Sequence, residues 1–332
     1  MRKVSIELER GDLKVAGSAL FLDARRKSAC AFISHAHGDH LARHERTIAT
    51  RATLALAKHR LGDRAKKGEA LPAGYREPFG LGDLELELFP AGHVLGSAQL
   101  RVRKNGVTLG YTGDFCTDET FTAEAAEVMP CDVLVMESTF GKAHYVFPPK
   151  HEVLAAVRRF VDDALSDGAT PVLLGYALGK AQEILRFLHG AGYPCAVHPV
   201  VAAVNRIYEA QGVDLGSPRT LDDESEPGAR PGEVVVCPPH LSRSAPMRAI
   251  RRRRSAVLTG WALDGRHWFR GADAAFPLSD HADFPSLVRY AKATGAGRVF
   301  TVHGYAAELA EGLRACGIRA EPLAETRQLE LL

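Results

Sequence analysis

The chain has 332 residues, 46% hydrophobic and 25% charged, enough for one large core or two medium ones and ordinary for a water-soluble protein. Its 42 basic and 40 acidic residues leave a formal net charge of +2, so the molecule as a whole exerts little long-range pull on a polyanion. No run reaches the ~18 apolar residues of a membrane span, and Met1-Arg2-Lys3-Val4-Ser5 is charged rather than leader-like, so a cytoplasmic protein without membrane contact is expected. The six cysteines, Cys30, Cys116, Cys131, Cys195, Cys237 and Cys316, form no CxxC pair and read as reduced core residues.

In chain order, the first half predicts short strands. Phe21-Leu22-Asp23 and Ala31-Phe32-Ile33-Ser34 are brief apolar runs, and Leu84 to Phe89 alternates apolar and acidic residues as a half-buried strand does. Gln99 to Val102 and Val107 to Thr112 flank Asn105-Gly106, a hairpin turn signal. Asp132 to Met136 reads as a buried strand. From about Glu152 the spacing turns helical through Leu154, Val157, Phe160, Val161 and Leu165, and a strand follows at Pro171 to Leu174. Lys180 to His189 and Val200 to Gln211 predict helices. Leu215 to Glu233, with Asp222, Asp223, Glu224 and Glu226, reads as an exposed connector. After it come a strand at Val234 to Val236, a basic helix, a strand at Ala256 to Leu258, a strand at Val299 to Val302 and a helix at Ala306 to Ala315. Alternating strands and helices predict the α/β class.

Four potential metal ligands fall within six residues, His35, His37, Asp39 and His40, directly after an apolar strand. Imidazole and carboxylate suit Zn²⁺ and similar divalent ions. His93 in Pro90-Ala91-Gly92-His93, Asp114 in Tyr111-Thr112-Gly113-Asp114 and His303 before Gly304 also lie at predicted strand ends. Together these five histidines and two aspartates suffice for two four-coordinate sites sharing one bridging carboxylate, a position that a carboxylate can fill and an imidazole cannot.

The order HxHxDH, Gly-His, Gly-Asp and a late His resembles the metallo-β-lactamase superfamily. That resemblance implies an αββα sandwich with metals at one edge of the sheets. It assigns His35, His37 and His93 to one ion, Asp39, His40 and His303 to the other, and Asp114 to the bridge. Met136-Glu137-Ser138-Thr139-Phe140-Gly141, Leu278-Ser279-Asp280-His281-Ala282-Asp283 and Val302-His303-Gly304 resemble motifs of its β-CASP nucleases, in which an α/β domain is inserted. The implied layout is 1–170 and 277–332 for the metallo-β-lactamase domain and 171–276 for the insert. Asp39, Glu137 and His281 are then the expected catalytic side chains.

Within β-CASP the chain is similar to bacterial DNA-ligase-associated exonucleases, through Gly175-Tyr176-Ala177-Leu178-Gly179-Lys180-Ala181-Gln182, Pro238-Pro239 and Thr259-Gly260-Trp261. This implies DNA as substrate and association with a DNA ligase and a helicase. His at position 303 points instead toward RNA processing, although Tyr305 stands where that branch usually carries Glu. Two divalent ions, Zn²⁺ or Mn²⁺, would activate a shared water for attack on phosphorus. His281, its tautomer fixed by Glu137, would assist the leaving oxygen. Lys180 at a helix start, Arg243 in the basic segment with Arg248 and Arg251 to Arg254, and Trp261 with Arg266 and Trp268 are candidate substrate contacts. A small-molecule metallohydrolase and a silent nucleic-acid-binding scaffold are the competing readings. The long insert weighs against the first and the full ligand set against the second.

Overall fold

The structure is a computed structural model that describes residues 5–63, 68–221, 228–265 and 271–323. Arg266, Trp268 and the acidic positions Asp222, Asp223, Glu224 and Glu226 of the expected connector lie outside those residues. The chain is mixed α/β and divides into two compact units. One comprises Met1–Glu119, Ala123–Val146 and His281–Leu332, the other Thr120–Thr122 and Phe147–Asp280. The second unit thus starts earlier than the expected edge at 171. Its helix Lys150–Ser166 buries Val153, Leu154, Val157, Phe160 and Val161 in the same core as the strand Thr170–Leu174.

The first unit holds two sheets. Six strands, Ile6–Glu9, Asp12–Val15, Leu20–Leu22, Cys30–Phe32, Arg46–Ala49 and Glu69–Pro72, follow sequence order in one. The other has seven, in the spatial order Ala320–Pro322, Arg298–Val302, Val133–Glu137, Val107–Tyr111, Ala98–Lys104, Leu84–Pro90 and Phe79–Leu81. Ile6, Val15, Leu20 and Phe32 from the first share one core with Leu86, Leu88, Leu100, Val135 and Phe300 from the second. In Leu84–Pro90 the leucines at 84, 86 and 88 face that core. Glu85 and Glu87 alternate outward, opposite Arg103 and Arg101, and form ion pairs with them. Asn105 and Gly106 make the expected hairpin turn with φ of 51° and 77°, the left-handed values such a two-residue loop needs.

Val133–Glu137 is buried at all five positions. Val133 and Val135 enter the inter-sheet core, while Leu134 and Met136 pack on the outer face with Leu287 and Tyr290 of helix Phe284–Ala293 and Leu309 and Leu313 of helix Ala306–Ala315. A strand covered on both faces reads as a continuous apolar run for this reason.

In the second unit every described strand pairing is parallel, in the order Arg219–Thr220, Cys195–Val197, Val234–Cys237, Thr170–Leu174, Arg253–Leu258 and Ala274–Phe276. Helices Lys150–Ser166, Lys180–Gly190 and Pro199–Ala210 bury Phe160, Ile184, Leu185 and Val201 with Leu173, Val236 and Ala256 of this sheet. Met247, Ile250 and Leu221 pack with Val172, Val235 and Val257 in a separate core. The basic segment departs from the helix expected there. Only Ala245–Arg248 is helical, and the strand reaches back to Arg253 because Thr170–Leu174 pairs with it from its first residue. Tertiary pairing overrides local helix preference here. Among the described residues no helix is long and apolar enough to cross a membrane.

Candidate metal centre

Strand direction assembles the centre. Leu84–Pro90 is antiparallel to Ala98–Lys104, which is antiparallel to Val107–Tyr111, and that strand runs parallel to Val133–Glu137 and Arg298–Val302. The C-terminal ends of four strands therefore meet one edge of the sheet and present His93, Asp114, Glu137 and His303. The loop after Cys30–Phe32 adds His35 to His40 from the other sheet.

Four donor atoms of His35, His37, His93 and Asp114 lie within 4.8 Å of one another. His37 Nδ1 is 3.0 Å from His35 Nε2 and 3.0 Å from His93 Nε2. Donors at 2.0–2.1 Å around a tetrahedral zinc ion stand about 3.3 Å apart, so this spacing suits one shared cation. Asp114 Oδ2 lies 3.5 Å from His35 Nε2, 3.3 Å from His40 Nε2 and 4.0 Å from His93 Nε2, and so faces both groups of histidines. Around His40, the Asp39 carboxylate stands 3.7 Å from Nε2, and the His303 ring centre is 5.7 Å from the His40 ring centre. These donors are more widely spread, with the Asp39 side chain 76% exposed.

Electrostatics favour a cation. Burial pushes the His35 imidazole well below its ordinary value, helped by His40 and His93. Burial acts the same way on His40, but the Asp114 and Asp23 carboxylates outweigh it and hold His40 well above the usual range. Burial alone would raise Asp114, yet His40, then His35 and His281, keep it well below the ordinary carboxylate value. A buried carboxylate among imidazoles that retains positive charge beside it fits a divalent ion.

Asp23 is a residue that the sequence reading placed at a strand end without a functional role. It is buried, with φ of 46°. Its Oδ1 accepts the Ser34 amide at 2.7 Å, and its Oδ2 accepts the Ser34 hydroxyl at 2.5 Å, His40 Nδ1 at 2.9 Å and the Tyr111 hydroxyl at 2.8 Å. Ser34 Oγ in turn is 3.0 Å from His35 Nδ1. With Nδ1–H held on both rings, a cation that takes the place of the His40 Nε2 proton would meet the Nε2 lone pairs of both rings at the centre. Burial, then the Asp23 charge, push the Tyr111 phenol well above its ordinary value, so it remains a donor.

Glu137 is 1% exposed. Its Oε1 accepts the Phe115 amide at 2.8 Å, its Oε2 the Thr139 amide at 3.3 Å, and each oxygen lies 3.1 Å from His281 Nδ1. This sets the Nδ1–H tautomer and leaves His281 Nε2 for other work. The ring centres of His281 and His93 are 4.6 Å apart, so the Glu137–His281 pair borders the metal ligands.

Ser138 locks the His303 turn. Its hydroxyl donates to the carbonyl of Val302 at 2.9 Å and to that of His303, and its carbonyl accepts the Tyr305 amide at 2.8 Å. His303 has φ of 62°, an uncommon conformation for a residue with a Cβ. A Cβ on Gly304, at φ of 46°, would fall 2.4 Å from the Ser138 carbonyl oxygen, so glycine alone permits this close approach.

The expected substrate contacts separate. Lys180 is 4% exposed, and its ammonium donates to the Leu278 carbonyl at 3.0 Å and to Asp280 Oδ1 at 2.8 Å. It is a buried structural ion pair rather than a solvent-facing phosphate ligand. Arg253 donates to the Ser242 and Met247 carbonyls at 3.1 and 2.9 Å, and Arg254 pairs with Asp167 at 2.9 Å, so half of the Arg251 to Arg254 run builds the fold. Arg243 and Trp261 line one pocket.

The two-sheet unit gathers histidines and aspartates that could hold a metal ion at its strand ends, beside a carboxylate-held histidine, in a mixed α/β protein. No protein-family model matches the chain. Over 314 residues, 94% of its length, it is 40% identical to a protein named probable DNA ligase from Opitutus terrae, of which this covers 30%. It is 38% identical over 103 residues, 30% of the chain, to 12% of the endoribonuclease ysh1 of Aspergillus fumigatus. It is 27% identical over 194 residues, 50% of the chain, to 39% of the RNase aCSPSF2 of Saccharolobus solfataricus. The chain thus spans well under half the length of these relatives. These similarities accord with the resemblance of its motifs to the β-CASP branch of the metallo-β-lactamase superfamily.

Proposed function

We propose that the chain is a metal-dependent nuclease that hydrolyses phosphodiester bonds, with a metallo-β-lactamase sandwich as the metal-binding unit and residues 147–280 as the inserted β-CASP domain. The observation that carries this is the buried Glu137 carboxylate 3.1 Å from His281 Nδ1, beside the convergent donors of His35, His37, His93 and Asp114. In this reading His35, His37 and His93 hold one divalent ion, Asp39, His40 and His303 hold a second, and Asp114 bridges. Two such ions, Zn²⁺ or Mn²⁺, when bound, supply water activation and neutralise charge on the phosphoryl oxygens. Asp23 holds the Nε2 lone pairs of His35 and His40 toward the ions. Glu137 stabilises a proton on His281 Nδ1, so that Nε2 can hold the scissile phosphate or deliver a proton to the departing oxygen.

DNA cleavage from an end, in a bacterial repair setting with a ligase and a helicase, is the leading substrate assignment. Its support is the relative named for DNA ligase, which aligns along nearly the whole chain. RNA cleavage is the second reading, favoured by His303 and by the relatives named as ribonucleases. Matched end-labelled DNA and RNA strands incubated with the Zn²⁺- or Mn²⁺-loaded protein decide between them. The leading assignment expects a ladder shortening from one end of DNA. Degradation of RNA alone overturns it, and a fixed internal cut overturns the exonuclease part.

A further inference from the structure

We propose that a pocket within the second unit takes up one unstacked nucleobase, with its adjoining phosphate, from a single-stranded nucleic acid. This rests on the nucleic-acid reading above. The pocket holds about 550 Å³, within the range of small-molecule sites, and lies along the neighbouring parallel strands Thr170–Leu174 and Arg253–Leu258. Tyr176 and Trp261 bring two aromatic side chains to its wall, with Arg243, Ser242, Thr259 and Asp273.

Each part has a chemical assignment. Tyr176 is 57% exposed, so its ring is available to a ligand and is not required to fill a core. Trp261 starts its turn from Thr259, whose hydroxyl accepts the Trp261 amide at 3.4 Å, and this fixes the backbone that carries the indole. An aromatic face stacks on any base. Arg243 is exposed, and Arg248 anchors its carbonyl at 2.7 Å. The backbone is therefore held while the Arg243 guanidinium can pair with a phosphate. Arg253 is turned to the Ser242 and Met247 carbonyls and supports the wall. Asp273 accepts the Ser255 amide at 2.6 Å. Its charge repels phosphate, so the anionic part of a ligand belongs on Arg243, while base amino groups can donate to Asp273.

A base inside a duplex must first be unstacked and unpaired to enter such a pocket, which makes strandedness the discriminating variable. Fluorescein-labelled phosphorothioate dT10 and U10 strands, together with a labelled phosphorothioate duplex, are titrated by anisotropy against the full-length wild type, Tyr176→Ala and Arg243→Ala in metal-free buffer. Both substitutions should weaken single-strand binding at least about fivefold, the lower end for loss of one base–aromatic contact. Tyr176→Ala should leave duplex binding unchanged. Unchanged single-strand affinity in both variants, equal weakening for duplex and single strand with Tyr176→Ala, or no binding of either single strand by wild type overturns the proposal. Because binding is read without metal, failure here is separate from failure of the hydrolytic reading, which the metal-loaded cleavage assay tests.

Discussion

At the residue scale, Asp23 is placed to orient two of the proposed metal ligands without touching the metal itself. It engages His40 directly and His35 through Ser34. Loss of such an orienting carboxylate typically costs ten- to a hundredfold in metal affinity. Asp23→Asn is therefore expected to weaken Zn²⁺ binding by about 10–100-fold in chelator competition, and unchanged affinity would show that the two histidines orient themselves. The sequence exposed some of this chemistry and hid the rest. His35, His37, Asp39 and His40 are legible because they are contiguous and follow an apolar strand. Asp23 is one aspartate at the end of one strand, and its partners at 34, 40 and 111 meet it only through folding. Ser138 is equally silent, since its role depends on the turn at His303, 165 residues away.

Elements were legible where their pattern is local. The hairpin at Asn105-Gly106, the alternating strand at Leu84 and the amphipathic helix from Lys150 to Ser166 follow from periodicity and turn chemistry. Two features followed from distant pairing instead. Arg253–Leu258 is a strand because Thr170–Leu174 and Ala274–Phe276 flank it. Lys180, which suggests a phosphate ligand by its place at a helix start, is buried against Asp280, 100 residues on. Removing one partner of a buried pair takes from the other the counter-charge that offset its desolvation. Lys180→Met should lower the stability of the second unit by about 3 kcal/mol, read from the urea midpoint. A loss below about 0.5 kcal/mol, the range of ordinary surface substitutions, would contradict the structural role.

At the scale of the whole molecule, the α/β class is legible from alternation, whereas an inserted segment is implied only by the resemblance that the Glu137 and His281 motifs carry. The start of the compact second unit at Phe147 depends on which core receives helix Lys150–Ser166, which its own sequence does not specify. The cysteines allow a test across both units. None is disulfide-bonded, and Cys316, expected in the core, is exposed because it caps the end of helix Ala306–Ala315. Burial pushes the thiols of Cys131, Cys195 and Cys237 up to about 12 and raises Cys30. At pH 8, well below these values, they remain protonated and unreactive. Ellman's reagent should find one fast thiol in the native protein and all six in denaturant. Three or more fast thiols would contradict the packing.

In the proposed function, bound metal ions and the Glu137-held imidazole of His281 act together on a phosphodiester. Its most direct test pairs metal analysis with turnover of an end-labelled strand for wild type and His281→Ala. Both proteins should carry two ions per chain, and the variant should cleave at least about a hundredfold more slowly, the scale of a lost general acid. Wild-type turnover in a metal-replete His281→Ala protein, or no cleavage by metal-replete wild type, would contradict it.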